Sequence, residues 1–564
     1  MNFGTSTSPL LDPHRQPQYN TVVHDLRPRA SRVSGNNRNR LSPWNSDLIS
    51  TQSSSTRFAS SLSSNTTSSS SAILDTQIDR PSNLVVARTF VTSISGFLFG
   101  YDTGYVSSVL VSLGTDLDGR QLTIKQQEWI TSGASIGAFF ASFLAGPLAD
   151  YFGRRATVII CDLLFATGGL IQFETSHLTY MIAGRVIMGF GIGFGSLIAP
   201  LYISELSPGK YRGRLVTINC LAITAGQLAA YGMGAVLEHI NSTWRYTILF
   251  SLLPCLIQLV TIVSLPDTPR FLIQTCRFGE AEEVLKRIYP RSSSDLIDAS
   301  IEEMSAINAE EPLATGFIQN LYLTLKSLLL SSSSNRRALY IACGLQATQQ
   351  FVGFNAVMYF AATIFKMLGF TNSASVSCLI AATNFIFTGL AFLIIDKVGR
   401  RRILLFSMPF VFIFQVLCAV AFLHIPIRTE MIFDNTSLKW TFIVVFSLIG
   451  FVASYASGLG VVPWQQSEMF PQSVRGLGSA FATATNWLGS TVVSASFLTI
   501  MDTFTPTGAF LLYASVTAFS YIAVYFTYPE LGHLQLEEIG LLLKDGFNVS
   551  KSMQIQRQRH TALE

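Results

Sequence analysis

Two ionisable residues interrupt otherwise apolar stretches and are the first candidates for chemistry. Asp102 lies in Phe99-Gly-Tyr-Asp102-Thr-Gly-Tyr, and Arg185 in Gly184-Arg185-Val-Ile-Met-Gly189. A charge at the centre of a lipid-embedded helix costs about 2.5–3.5 kcal/mol on insertion scales, so an acid and a base in such helices need a reason to be there. The functional reading is a proton site: once Asp102 is protonated, Arg185 loses its partner and the surrounding packing can change. The structural reading is a static ion pair that helps helices associate. Intramembrane ionisable pairs commonly mark proton relays, which favours the first. A third such residue, Asp162, lies nearer the end of its apolar stretch, and there the two readings balance.

Amides and aromatics form a second group. Gln227 and Tyr231 share one stretch; Gln346, Gln349 and Gln350 stand at i, i+3, i+4 on one helical face, followed by Asn355 and Tyr359. Asn384, the run Pro463-Trp464-Gln465-Gln466 and the pair Asn486-Trp487 complete the set. Amides both donate and accept, which suits a neutral ligand covered in hydroxyls, and aromatic rings suit its C–H faces. Hydrogen bonds between helices would account for one or two such amides, but not for six or more. No nucleophile–base pair or metal-ligand cluster stands out, so no enzymatic activity, cofactor or metal is expected. Gly189, Gly191, Gly193 and Gly195 imitate a nucleotide loop, but no strand precedes them; their i, i+4 spacing instead lets helices approach closely.

The elements that must carry these residues are membrane spans. Of 564 residues, 49% are hydrophobic and 13% charged, with a mean hydropathy of +0.40. A soluble chain carries about 25% charged residues. This excludes a soluble enzyme, a disordered scaffold, a collagen-like chain and a disulfide-stapled secreted domain. The net charge of +4 gives no sign of a nucleic-acid partner. Seven cysteines without a C-x-x-C pair indicate neither a disulfide framework nor a zinc site. Twelve apolar stretches approach the length that crosses a bilayer: 86–110, 128–149, 156–174, 178–203, 216–237, 244–264, 338–362, 374–395, 403–424, 440–464, 476–500 and 508–528. The first thirty residues show no apolar core of a signal peptide, so the first span is expected to direct insertion. Residues 1–82 are Ser-rich and polar and read as a disordered tail. Between spans 6 and 7, residues 270–336 read as short amphipathic helices, with Ala281, Val284, Leu285 and Ile288 at helical spacing. The organisation expected is therefore a tail (1–82), a six-helix half (83–269), a helical insert (270–336), a second six-helix half (337–529) and a second tail (530–564).

Positive charge marks the even-numbered loops: Arg154 and Arg155 after span 2, Lys210, Arg212 and Arg214 after span 4, and Lys397, Arg400, Arg401 and Arg402 after span 8. The positive-inside rule places these loops and both termini in the cytoplasm. The outward sequons at Asn241 and Asn435 are candidate glycosylation sites, close to the membrane. The same loops repeat. Asp150-Tyr-Phe-Gly153-Arg154-Arg155 returns as Asp396-Lys-Val-Gly399-Arg400-Arg401, 246 residues later (396 minus 150). Glu205 with Arg212-Gly213 returns as Glu468 with Arg475-Gly476, 263 residues later (468 minus 205). Two motifs recurring in order at equivalent loops imply a duplicated half. Asp150, Arg154, Arg155, Glu205, Arg212, Asp396, Arg400, Arg401, Glu468 and Arg475 are candidates for a cytoplasmic salt-bridge cluster that latches one conformation. Two parallel halves with a cleft between them suit an alternating-access transporter.

From about residue 84 to 540, these motifs resemble the sugar-porter branch of the major facilitator superfamily. The two D-x-x-G-R-R loops carry the resemblance, with Pro200-Leu-Tyr202-Ile-Ser-Glu205, Pro266-Asp-Thr-Pro269-Arg270 and the Gln-Gln…Asn motif of span 7. It implies an all-α fold of twelve transmembrane helices in two pseudo-symmetric halves with short intracellular helices between them. It also implies a substrate site of Phe99, Gln227, Gln349, Gln350, Asn355, Tyr359, Asn384, Trp464, Asn486 and Trp487, without cofactor. Asp102 matches the acid of proton-coupled members and Arg185 its partner. The span 7 motif departs from the family in ending Tyr359-Phe360 rather than Tyr-Tyr. The segment after span 12, Pro529-Glu530-Leu-Gly-His-Leu-Gln-Leu-Glu537-Glu538, resembles fungal myo-inositol transporters more than hexose carriers. Proton-coupled uptake of myo-inositol by a monomer in the plasma membrane is the expectation, with the vacuole or another endomembrane as the alternative site. A hexose carrier on the same scaffold is the alternative function. A nutrient sensor is a third, disfavoured by the short segment after span 12.

Overall fold

The structure is a computed structural model. It describes residues 81–563, except 239, 241–242, 311–316, 426–434, 532–533 and 535. The Ser-rich segment expected at 1–82, apart from its last two residues, and the sequon at Asn241 lie outside the described residues. So do the side chains of Asp396, Asn435, Trp464 and Glu468.

Among the described residues all regular structure is helical. The first half comprises α1 (Asn83–Ser112), α2 (Ile124–Phe152), α3 (Arg154–Glu174), α4 (Leu178–Leu206), α5 (Gly209–Val236) and α6 (Thr243–Ile262). Four shorter helices follow: α7 (Pro269–Gln274), α8 (Phe278–Ile288), α9 (Ser294–Glu310) and α10 (Phe317–Lys326). The second half comprises α11 (Ser333–Phe351), α12 (Phe354–Met367), α13 (Ser373–Val398), α14 (Arg400–Leu423), α15 (Asn435–Ser457), α16 (Gln472–Ser494) and α17 (Phe497–Thr527). Two helices close the chain, α18 (Leu536–Leu542) and α19 (Val549–Leu563).

Ten of these helices are long and apolar enough to cross a bilayer. The two remaining spans anticipated from sequence differ for a physical reason. Span 7 is broken into α11 and α12 at Gly353, whose φ of +86° ends one helix and starts the next. A Cβ there would also fall 2.8 Å from the Tyr513 ring, so glycine is needed twice over. Span 11, α16, is too polar to score as a span because its inner face carries Thr483, Asn486 and Ser490. α17 consists of two helices that meet at Thr505-Pro506, where Thr505 has a non-helical φ of 63° and ψ of 161°; the part after Pro506 is span 12, in line with its apolar stretch.

Packing repeats with the sequence. In the first half α1 packs on α5, α2 on α4, and α3 on α4 and α6; in the second, α11 packs on α16, α13 on α15, and α14 on α15 and α17. The halves meet through α2 against α16, α5 against α13, and α12 against α1. Large apolar side chains point outward along both halves, among them Val260, Phe406, Phe442 and Phe519. That surface is stable against lipid and not against water. α8 buries Ala281, Val284, Leu285 and Ile288, as its periodicity predicts. It packs on α7 in an apolar cluster that includes Tyr202, Leu206 and Leu272. Lys286–Glu282 (2.5 Å) and Arg277–Glu280 (2.6 Å) pair along its exposed side.

Candidate functional site

α1 and α4 bring Asp102 and Arg185 together inside the first half. Both are buried, with 3% and 1% of their surface exposed. The guanidinium grips the carboxylate with two nitrogens, Nη1 on Oδ1 and Nη2 on Oδ2, the latter at 3.3 Å. Two further bonds hold it: Nε reaches the Ile130 carbonyl at 3.1 Å, and Nη1 the Tyr105 hydroxyl at 2.8 Å. Tyr105 in turn donates to Gln172 Oε1 at 2.9 Å, and Gln172 Nε2 to the Gly168 carbonyl at 3.1 Å. A bidentate pair with further hydrogen bonds around it is the geometry in which buried charges are tolerated. Tyr105 and Gln172 were not singled out from sequence; Tyr105, one turn beyond Asp102 on the same helix, carried the only local signal. Asp162 is buried on α3, and neither carboxylate oxygen meets a hydrogen-bond partner.

A second polar cluster is centred on α11 and α16 of the second half. Asn486 Nδ2 donates to Gln346 Oε1 (2.6 Å) and Gln349 Oε1 (2.8 Å). Gln346 Nε2 continues to Gln466 Oε1 (2.7 Å), and Gln466 Nε2 to the Thr483 hydroxyl (2.9 Å). Gln350 faces across the span 7 break and accepts from Asn355 Nδ2 (2.6 Å). Asn384 Nδ2 donates across to Gln227 Oε1 of the first half (2.7 Å), and the Phe99 and Trp487 rings lie 5.1 Å apart across the halves. The buried Trp487 Nε1 has no hydrogen-bond partner. The Tyr359 hydroxyl is 3.5 Å from Ser490, which is itself 3.1 Å from Ser135 of the first half. Of the ten expected substrate residues, the described structure pairs Gln349 with Asn486, Gln350 with Asn355, Gln227 with Asn384 and Phe99 with Trp487, and sets Tyr359 beside Ser490; the side chain of Trp464 is not described.

The repeated loops lie together at one end of the bundle, here the motif end. Arg154 is buried and binds Glu205 through Nε (3.0 Å) and Nη2 (3.1 Å), with Asp150 at 3.2 Å. Glu205 also accepts from the Thr268 hydroxyl (2.7 Å). The second arginine of each motif does something else. Arg155 donates to the Val263 carbonyl at the end of α6. Arg401 donates to the carbonyls of Val524 (2.9 Å), Tyr525 (2.7 Å) and Tyr528 at the end of α17. These guanidiniums reach helix C-terminal carbonyls in place of the carboxylates expected of them, because the last turn of a helix presents unsatisfied carbonyls of partial negative charge. Arg212 and Arg475 likewise donate to backbone carbonyls, of Ser204 (3.0 Å) and Phe470 (3.4 Å).

The structure adds a third repeated element. Asp267 Oδ1 accepts from the backbone N–H groups of Arg154 (3.1 Å), Arg155 (3.3 Å) and Thr268 (3.1 Å). Glu530 accepts from those of Arg400 (3.0 Å) and Arg401 (3.0 Å). Asp267 and Glu530 stand 263 residues apart (530 minus 267), the same offset as Glu205 and Glu468. Each carboxylate caps the helix that begins at the motif glycine. Gly153 and Gly399 have φ of +89° and +96°, and a Cβ on either would lie within 2.7 Å of an oxygen of the capping carboxylate. Burial pushes the Asp267 carboxyl up from its ordinary value; its three backbone donors and Arg154 oppose that.

At the opposite, distal end several bonds join the halves. The Tyr231 hydroxyl donates to the Met358 carbonyl, and the Ala362 N–H to the Ser107 hydroxyl (2.9 Å), so two first-half side chains hold the backbone of α12 one turn apart. Glu128 of α2 accepts from the Thr499 backbone N–H (2.7 Å) and hydroxyl (2.8 Å) of α17. Ser375 donates to Glu238 at 3.4 Å. These bonds hold the two halves together at that end.

A family model described as "Sugar (and other) transporter" matches residues 88–543. The chain belongs to the sugar transporter family. It is 46% identical over 482 residues to myo-inositol transporter 1 of Saccharomyces cerevisiae, covering 85% of this chain and 82% of that one. It is 43% identical to myo-inositol transporter 1 of Candida albicans, covering 88% and 89%. It is 42% identical to myo-inositol transporter 2 of Schizosaccharomyces pombe, covering 84% of each. Among solved structures it resembles the proton:xylose symporter XylE bound to 6-bromo-6-deoxy-D-glucose, with a TM-score of 0.67 and 25% identity, covering 81% of this chain and 99% of that one. The partially occluded inward-open form of XylE from E. coli matches at a TM-score of 0.66. This sugar transporter is therefore a multi-pass membrane protein of the twelve-helix major facilitator fold, and not an enzyme. Within that fold Glu128 and Thr499 escaped the sequence reading, because each looks like an ordinary residue at a helix start until the halves are assembled.

Proposed function

We propose that this sugar transporter carries myo-inositol into the cell together with a proton, by alternating access. The buried amides Gln346, Gln349, Gln350, Asn355, Asn384 and Asn486 support this most directly, since they hydrogen-bond to one another and to neighbouring amides. A polyol replaces those bonds with its own hydroxyls. Each exchange is worth about 0.5–1.5 kcal/mol, so several are needed for recognition and a ligand with too few hydroxyls leaves amides unpaired. The unpartnered Trp487 Nε1 supplies a further donor, and the Phe99 and Trp487 rings a face for C–H groups. The names of the relatives, myo-inositol transporters at 42–46% identity, select this polyol among neutral candidates.

Asp102 is the proton carrier in this reading. Protonation discharges the carboxylate, frees Arg185 to turn further toward Tyr105, and loosens the first half. The motif end faces the cytoplasm, as do both termini, and the protein acts as a monomer in the plasma membrane. Asp150, Arg154 and Glu205, with Asp396, Arg400, Glu468 and Arg475 in the second half, hold the helix ends that must part or close there. Residues 83–269 and 337–529 move as the two halves, and 270–336 brace them at the cytoplasmic face. Radiolabelled myo-inositol uptake in cells lacking their own carrier, with and without a protonophore, tests the reading. Concentrative uptake abolished by the protonophore is expected. Competition by excess glucose but not by myo-inositol would replace the polyol with a hexose.

A further inference from the structure

The N-terminus of α17 lacks a cap of its own. Ser496 stands at the N-cap position, yet its side chain makes no capping bond; the hydroxyl donates backwards to the Val492 carbonyl at 2.6 Å. The first N–H groups of a helix have no partner within it, and such an end is normally closed by a side-chain oxygen just before it. Here the oxygen arrives from the other half of the molecule. Glu128, 1% exposed, sits in the first turns of α2 and places Oε1 2.7 Å from the Thr499 backbone nitrogen and Oε2 2.8 Å from its hydroxyl. Its charge is met on the other side by Lys125 Nζ at 3.1 Å, itself largely exposed. A carboxylate at a helix N-terminus also lies where the partial positive charge of the helix is greatest.

We propose that Glu128 is the latch of the distal mouth, capping α17 in trans while the mouth is shut and leaving it when the mouth opens. The inference rests on the alternating-access reading above, because only a molecule whose halves separate at this end would break the bond. Two features fit a reversible latch rather than permanent glue. Glu128 and Lys125 lie near the mouth, so on opening the carboxylate regains water and keeps its lysine. The helix N-terminus, being at the same surface, also regains water. Neither partner is left stranded in lipid, and the bond biases the equilibrium without locking it. Glu128 touches neither the amide cluster nor the Asp102–Arg185 pair in any bond described, so it acts on conformation and not on the substrate.

The test reads the mouth directly. Ser490, buried beside Ser135 and Tyr359 beneath the latch, is replaced by cysteine in otherwise intact protein in cells. Its labelling by a membrane-impermeant thiol reagent added outside is then timed without substrate. Adding Glu128→Gln, which keeps the shape but weakens the cap, or Glu128→Ala, which deletes it, is expected to raise the labelling rate, for alanine by about tenfold or more for each of the two hydrogen bonds to the charged group that is lost. Thr499→Val removes the hydroxyl but keeps the N–H, and is expected to raise it less. Labelling within twofold of the parent for both Glu128 variants, in protein that remains monodisperse in detergent, overturns the latch. If alanine misfolds, the glutamine variant alone decides. Failure of the parent to move any polyol would defeat the transport reading instead, and is measured separately.

Discussion

Replacing Asp102 by asparagine tests the energy-coupling argument most sharply. The substitution keeps an acceptor facing Arg185 but removes the charge that can take up a proton. A membrane potential of about 100 mV supplies about 2.3 kcal/mol per charge, and one pH unit adds about 1.4 kcal/mol. One proton per substrate therefore sustains a gradient of about 500-fold. In Asp102→Asn that ratio is expected to fall to about 1, whereas exchange of labelled for unlabelled substrate, which needs no net proton movement, persists. The variant also leaves the Arg185 charge with only neutral partners: Tyr105, the Ile130 carbonyl and the new amide. Breaking a buried pair from one side costs about 3–5 kcal/mol, so a lower melting temperature in detergent is expected. Arg185→Leu added to Asp102→Asn removes the stranded charge and should recover part of that loss. Tracer accumulation with and without a protonophore, paired with counterflow in liposomes, provides the readout. Uphill accumulation by Asp102→Asn equal to the parent would refute the carboxyl group as the coupling site, and no recovery in the double variant would refute the account of the pair.

Three further outcomes are expected. Asn486→Ala strands the acceptors of Gln346 and Gln349, and at about 1–3 kcal/mol for an unsatisfied buried group the KM for uptake should rise about tenfold or more; an unchanged KM would remove Asn486 from the site. Glu205→Gln removes the buried acidic partner of Arg154 and should lower stability by up to about 3 kcal/mol, softened by Asp150, which remains at 3.2 Å; equal melting curves would show that the pair contributes nothing. Asp267 holds its proton more tightly in the folded protein than its ordinary value of 3.8 implies. Its contribution to stability therefore declines as pH rises from that value through the folded one, and is constant above. Asp267→Asn, which keeps an acceptor for the three N–H groups, should flatten the pH dependence of the melting temperature across that acidic window, and an identical slope in the variant would contradict it.

The fold was largely legible because lipid imposes a simple rule. Backbone groups must be paired within the segment, so each span is a long apolar helix and composition alone marks it. The repeat was legible too, since Gly153-Arg154-Arg155 and Gly399-Arg400-Arg401 are short contiguous strings. The exceptions are instructive. The break at Gly353 was hidden inside one apolar stretch, because a φ of +86° leaves no trace in hydropathy.

The sequence by itself determined the twelve-span plan, the duplicated half, the buried acid and base, and the set of amides that suits a hydroxylated guest. These depend on residue type and local spacing, which the chain carries openly. Tertiary structure alone decided which of those residues meet. It joined Tyr105 and Gln172 to the ion pair, turned Arg155 and Arg401 onto helix ends rather than carboxylates, matched Asp267 with Glu530 as caps of equivalent helices, and set Glu128 on the N-terminus of α17, 371 residues along the chain. Such pairings depend on how rigid helices cross, and a side chain can reach only what the crossing places within about 3 Å of it.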